Sequence, residues 1–433
     1  MTTQMEAARL GQITDEMRIV AKDEAISPRK LCRRIAKGTV IITRNLERRR
    51  VHPIGIGEGL RIKVNANIGT STDLCDPNLE LEKARVAMKY GADTIMDLSI
   101  AGDLDIIRKS IIEAIEAPIG TVPIYQAAKE AVDKKGAIIH MTEDDIFNII
   151  EKHARDGVDF MTIHCGVTKQ LVEKLAKHPR IMGIVSRGGT LLAAWILYHE
   201  KENPLYANYD YLLEIAREYD FAISLGDGLR PGCIFDATDW AQIQELITIG
   251  ELVEKARATR VQVMVEGPGH LPIDQVIANV KLEKAICKGA PLYVLGPVVT
   301  DIAPGYDHIV GAIGGALAGL AGADFLCYVT PAEHLALPSV EDVKEGVIAA
   351  KIAAHAANIV RLGAKASNRD LAIAKARANL NWNEQLKWAL DPEKAKQIRE
   401  RVKTKTPEVC SMCGNYCAIK ILRDSLRAKG ECL

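Results

Sequence analysis

The run FAISLGDGLRPG (221–232), the segment WAQIQELITIGELVEKARATR (240–260) and the run VQVMVEGPGH (261–270) decide the fold of this chain. A short apolar run ends in a polar, glycine-rich cluster, an amphipathic helical stretch follows, and the pattern starts again. Parallel strands joined by crossover helices produce that order. Outward from this core the strand signal recurs at DTIMDLS (93–99), PIGTVPI (118–124), FMTIHCG (160–166), IMGIVSRG (181–188), LYVLGPV (292–298) and DFLCYVTP (324–331). Eight strands with helices between them predict an α/β fold, a (β/α)8 barrel of the TIM type. A doubly wound open sheet is the alternative, but it does not call for a polar cluster behind almost every strand. Here residues 97–99, Tyr125, His164, 186–189, 227–230, 266–270 and 333–334 all follow strand ends. A barrel enzyme gathers its active site there.

The expected organisation is an N-terminal region of helix and loop (1–85), the barrel (86–340), C-terminal helices (341–400) and a terminal arm (401–433). The 433 residues carry 56 basic and 56 acidic side chains, a net charge of zero. That balance argues against a nucleic-acid-coating role, which needs a basic excess. No apolar stretch approaches the roughly 20 residues of a membrane span, and MTTQMEAARLGQ lacks the apolar core of a secretory signal. A cytoplasmic, soluble protein without a membrane partner is expected. Seven of the ten cysteines are scattered: Cys32, Cys75, Cys165, Cys233, Cys287, Cys327 and Cys432. In a reducing compartment they read as single thiols.

The other three, Cys410, Cys413 and Cys417, stand in a C-x2-C-x3-C spacing. Three thiolates can hold three irons of a [4Fe–4S] cluster and leave the fourth iron open for S-adenosylmethionine. Zinc normally takes four ligands, and Cys432 is the nearby candidate for the fourth. A redox dithiol would normally follow a strand. Elsewhere, His270 on its Gly-Pro-Gly turn and His334 behind the last strand could share a divalent metal, zinc or iron, with His308 as a less favoured ligand. Ser186, Arg187 and Gly188 before a helix form a phosphate-type cradle, and Asp227 with Arg230 lies on the same rim.

These residues sit in blocks that run through nearly the whole chain. They are NANIG (65–69), MDLS (96–99), GTVPIYQ (120–126), IVSRGG (184–189), SLGDGLRPG (224–232), VEGPGH (265–270), TDIAPGYDHI (300–309), CYVTPAEHLALP (327–338) and CSMCG (410–414). Together they resemble the thiamine pyrimidine synthase family in its shorter form. The resemblance implies a radical S-adenosylmethionine enzyme acting on 5-aminoimidazole ribotide. It also implies a homodimer whose cluster arm reaches the partner's barrel, and an electron donor such as flavodoxin or ferredoxin. Asn67, Met96, Tyr125, His164, Ser186, Arg187, Gly188, Asp227, Arg230, Glu266 and Tyr293 would then contact the ribotide, with Glu266 as the acid–base candidate. His270 and His334 would bind the divalent metal, and Cys410, Cys413 and Cys417 the cluster.

Three departures from the family pattern stand out. The second cysteine gap is one residue shorter than in the long members. The family's Pro-Ala-Asn-x-Asn-His block reads ITRNLER (42–48), and its MDLSTGG reads MDLSIAG (96–102). Both of the latter segments are expected near the substrate. They therefore point to the paralogue 5-hydroxybenzimidazole synthase, which makes a cobamide lower-ligand base from the same ribotide. The alternative product is the hydroxymethylpyrimidine phosphate of thiamine synthesis, and the non-enzyme alternative is a zinc-stabilised binding protein.

Overall fold

The structure, a computed structural model, describes residues 2–402 and 404–429. Cys432, the fourth thiol of the zinc reading, lies outside the described residues. The chain divides into two compact units, residues 1–361 and 362–433.

The first unit begins with helices Gln4–Arg9, Asp15–Asp23 and Pro28–Lys37, the last with its proline in the first turn, where no amide is needed. A hairpin of β1 (Val40–Thr43) and β2 (Ile54–Gly57) follows. Eight parallel strands then close a barrel in chain order: β3 (Lys63–Ile68), β4 (Thr94–Asp97), β5 (Ile119–Thr121), β6 (Phe160–Ile163), β7 (Ala222–Leu225), β8 (Val263–Gly267), β9 (Leu292–Leu295) and β10 (Phe325–Cys327). Closure sets Phe325 of β10 beside Lys63 of β3 and Cys327 beside Asn65. The (β/α)8 expectation is met.

One of the eight expected strands is wrong. IMGIVSRG is not a strand: Ile181 and Met182 are exposed, and their amides donate to the Asp236 carboxylate at 3.0 and 2.9 Å. Its end, Ser186, instead caps the helix Arg187–His199. The missing strand is KVNANI (63–68), inside the segment assigned above to the N-terminal region. Its apolar residues Val64, Ala66 and Ile68 alternate with Lys63, Asn65 and Asn67, which dilutes the apolar signal. Asn65 and Asn67 belong to the polar set inside the barrel, where their side chains bond each other.

The lower interior is aromatic. Tyr293 stacks on Phe325 with centroids 4.3 Å apart, and Phe160 meets Phe325 edge-on at 6.1 Å. Beneath it lies the hairpin. The Ile42 amide donates to Gln262 Oε1 at 2.7 Å and the Asn45 amide to Asp159 Oδ1 at 3.0 Å. The Leu46 amide reaches Tyr219 O. Gln262, Asp159 and Tyr219 all precede strands, so the hairpin covers the N-terminal end of the barrel. The C-terminal end is left for the site.

The second unit holds helices Ala364–Ala378, Trp382–Trp388, Pro392–Glu400 and Ala418–Ala428. Its small core packs Leu380, Val409 and Cys417. No single helix among the described residues is long and apolar enough to cross a membrane.

Candidate active site

Strands of a barrel send alternate side chains inward. Above the aromatic layer those positions are polar. Asn65 Nδ2 donates to Tyr293 OH at 2.8 Å and to Asn67 Oδ1 at 2.7 Å, and Thr94 Oγ1 donates to Asn65 Oδ1 at 2.7 Å. Asn67 Nδ2 lies 3.0 Å from Cys327 Sγ. On the opposite wall, Thr162 and Ser224 donate to Glu266 Oε1 at 2.6 and 2.8 Å. Both hydroxyls hold one oxygen, which fixes the carboxyl and leaves Oε2 to the bowl. Burial raises Glu266 above the usual carboxylate range, against those two hydrogen bonds.

Asn67, Met96, Tyr125, His164, Asp227, Arg230, Glu266 and Tyr293 line one bowl of about 80 Å³ at the C-terminal end of the strands. Beside it lies a cavity of about 220 Å³ whose lining includes Asn67, Ile100, Arg187, Glu333 and His334. Ser186 Oγ accepts the Gly189 amide at 3.2 Å and lies 3.1 Å from His164 Nε2. The Arg187 guanidinium sits 4.9 Å from the centre of the Tyr125 ring. Gly188 packs on His164, and a methyl group there would enter the imidazole. The structure thus brings all eleven expected ribotide residues to one rim.

Electrostatically the bowl is unusual. His164 is buried and its Nδ1 has no partner. Burial, with Arg230 nearby, pushes it down to about 3, so the imidazole is neutral. Asp227 Oδ1 accepts from Arg230 Nη1 at 3.1 Å, while Oδ2 is buried and unpartnered. Burial lifts Asp227 to about 7 despite Arg230, and the Glu266 carboxyl adds to the rise. A neutral base, Asp227 carrying its proton near neutrality, the raised Glu266 carboxyl and one fixed cation can bind an anionic polar ligand and exchange protons with it.

The two expected metal imidazoles also meet. The rings of His270 and His334 are 5.2 Å apart. His270 Nδ1 is held by Asp301 Oδ1 at 2.8 Å, the orientation a metal-binding imidazole receives from a carboxylate behind it. His334 Nδ1 faces Asp307 Oδ1 at 3.6 Å. His308 instead faces Glu345 at 3.8 Å. Among the described residues, no three His, Cys, Asp or Glu side chains converge as a ready-made metal site.

In the second unit Cys413 and Cys417 flank the turn Gly414–Tyr416, and the Gly414 amide closes back on Cys410 O at 3.0 Å. The amides of Cys413 and Met412 hold the Cys410 thiol below its usual range. Three soft thiols on one short turn, one of them biased towards thiolate, suit iron–sulfur ligation.

A family profile described as the Radical SAM ThiC family matches residues 3–424. The chain belongs to the Radical SAM ThiC family. A phosphomethylpyrimidine synthase of Methanocaldococcus jannaschii is 58% identical over 422 residues, covering 98% of this chain and 99% of the relative. The one from Pyrococcus abyssi is 60% identical over 427 residues, 99% of each chain. The one from Caldanaerobacter subterraneus is 58% identical over 424 residues, 98% of each chain. Radical S-adenosylmethionine chemistry, with its [4Fe–4S] cluster, comes with membership of this ThiC family.

These relatives overturn the expectation of a 5-hydroxybenzimidazole synthase, and the structure gives the physical reason. Residues 42–48 were expected near the substrate, but they lie under the barrel. Asn45 Nδ2 donates to Ala154 O and Val158 O, both at 2.8 Å, at the end away from the bowl. Ile100 does line the cavity beside the bowl, but Thr70 and Ser71 keep hydroxyls in the same wall. Sequence reading missed Asn65, Thr162, Ser224, Asp301 and Asp307. The first three were detectable as polar residues at every second strand position, as in Thr162 and His164 of β6 and its extension.

Proposed function

We propose that this protein is a phosphomethylpyrimidine synthase of the cytoplasm, converting 5-aminoimidazole ribotide to 4-amino-5-hydroxymethyl-2-methylpyrimidine phosphate for thiamine synthesis. The observation that carries this reading is a bowl holding Glu266, Asp227, Arg230 and His164 in a chain nearly 60% identical to synthases of that name over its full length. In this reading Arg187, Arg230 and the N-terminus of helix Arg187–His199 take the phosphate. Asn67 and Tyr293 hydrogen-bond the polar groups of the ribotide, and Met96 and Tyr125 pack against its rings. Glu266, fixed by Thr162 and Ser224, exchanges a proton with the ribotide, and neutral His164 accepts or donates a hydrogen bond without adding charge.

Cys410, Cys413 and Cys417 would hold the cluster, and His270 with His334 a divalent metal. The cluster and S-adenosylmethionine supply one-electron cleavage and hydrogen abstraction when bound. A reductant of the flavodoxin or ferredoxin class and a homodimeric assembly complete the proposal. Anaerobically reconstituted protein, given ribotide, S-adenosylmethionine and dithionite, should yield 5′-deoxyadenosine and the pyrimidine phosphate by mass spectrometry. Deoxyadenosine without pyrimidine phosphate would refute the product while leaving the radical chemistry.

A further inference from the structure

Glu245 is a carboxylic acid in an unexpected place. It lies on helix Trp240–Ala258, outside the barrel wall, yet it is only 2% exposed. Its Oε2 accepts the Leu229 amide at 2.7 Å, and Oε1 is buried without a partner. Leu229 stands between Asp227 and Arg230, the charged pair of the bowl. The side chain therefore reaches from the helix layer to the back of the turn that carries both groups.

The surroundings fit a clamp and not a chance contact. Gly166 and Gly228 wall the side chain. A methyl group on Gly166 would lie 2.8 Å from Glu245 Cγ, and one on Gly228 would lie 3.2 Å from Glu245 Oε1. The same turn packs on Gly189, so the 226–230 turn is wedged between Glu245 and the start of helix Arg187–His199. Burial, reinforced by the Asp227 carboxyl, lifts Glu245 to about 8. At neutral pH it is thus a neutral acid that accepts an amide hydrogen bond without placing a full charge behind Asp227. A buried polar side chain would cost stability here if it had only to fill space, since an apolar residue would do that better.

We propose that Glu245 is a positioning residue that sets the Asp227–Arg230 pair, acting through the Leu229 amide. The consequence for ribotide binding rests on the proposed function, whereas the clamp itself does not. Glu245→Leu removes the acceptor at similar volume, and Glu245→Gln keeps it. Two readouts are taken on the full chain. One is hydrogen–deuterium exchange of the peptide spanning 226–232, and the other is calorimetric binding of 5-aminoimidazole ribotide.

Glu245→Leu should speed exchange in that peptide and weaken ribotide binding on the order of tenfold, the effect of one lost buried hydrogen bond. Glu245→Gln should restore both to within about threefold. If the wild-type protein does not bind ribotide, the functional reading fails and the exchange data still decide the clamp. Unchanged exchange in Glu245→Leu overturns the proposal, as does equal loosening by Glu245→Gln. Should Glu245→Leu not fold, Glu245→Met removes the carboxyl at similar length, and the comparison with Glu245→Gln is read in the same way.

Discussion

At the scale of single residues, the bowl depends on side chains whose protonation is set by burial. Burial raises Glu266 against the hydrogen bonds of Thr162 and Ser224. Replacing it with Gln keeps an oxygen for Thr162 and Ser224 but removes the exchangeable proton of the acid. Glu266→Gln should lower turnover by about a hundredfold, with ribotide affinity and melting temperature little changed. Single-turnover kinetics beside calorimetry check this, and a loss confined to affinity would reduce Glu266 to a binding group. Gly188 belongs in sequence to the phosphate-type cradle with Ser186 and Arg187, and its neighbour in the structure is His164. Gly188→Ala should therefore displace the imidazole and cost about 1–3 kcal/mol of stability even without ligand. A denaturant titration of the unliganded protein measures it.

At the scale of elements, the hairpin and the cysteine turn make separable contributions. Asn45 is fully buried and spends its amide on two carbonyls beneath the barrel, while its Oδ1 accepts the Glu47 amide at 2.8 Å. Asn45→Ala should cost about 2–3 kcal/mol of stability through the groups it strands, with kcat/KM unchanged at a temperature where the protein is folded. A changed product would return residues 42–48 to the active site. In the cysteine turn Cys413 is exposed, whereas Cys417 packs with Leu380 and Val409. Cys413→Ala should abolish iron–sulfur absorbance without shifting the melting temperature of the cluster-free protein. Cys417→Ala should lower both. Visible spectra after reconstitution, read beside thermal melts, distinguish the two.

At the scale of the whole molecule, buried carboxyls set the pH dependence of stability. Burial raises Asp159 to about 6, Asp227 to about 7, and Asp220 and Glu245 to about 8. Carboxyls of the unfolded chain release their protons near 4, so the folded chain holds more protons between those limits. The stabilising contribution of these four groups is complete below about pH 4 and is lost as pH rises through 6 to 8, at about 1.4 kcal/mol per pH unit for each proton retained. Asp93 has the opposite sign. Burial pushes it up, but Lys351, Arg61 and Lys63 outweigh burial and bring it to about 2. Its contribution is present above about pH 4 and is lost as pH falls through 2. The unliganded protein should melt at a higher temperature at pH 5 than at pH 8. Calorimetric scans at the two values test this, and the reverse order would contradict the assigned protonation.

The sequence by itself determined the barrel, because strand and helix periodicities are local and a polar cluster behind each strand marks one rim. It determined the rim residues as well, since Asp227, Arg230, Glu266, His270 and His334 sit at strand ends whatever the register. It misplaced one strand, because KVNANI puts lysine and asparagine where an isolated strand would be apolar. Only closure against β10, more than 250 residues away, makes an interior that takes those asparagines. Tertiary structure alone decided which end of the barrel each loop occupies, and so moved residues 42–48 away from the chemistry. It alone brought Thr162 and Ser224 onto Glu266 and Glu245 behind Leu229. Desolvation and hydrogen-bond partnership depend on what surrounds a group in space, and the neighbours in the chain do not carry that information.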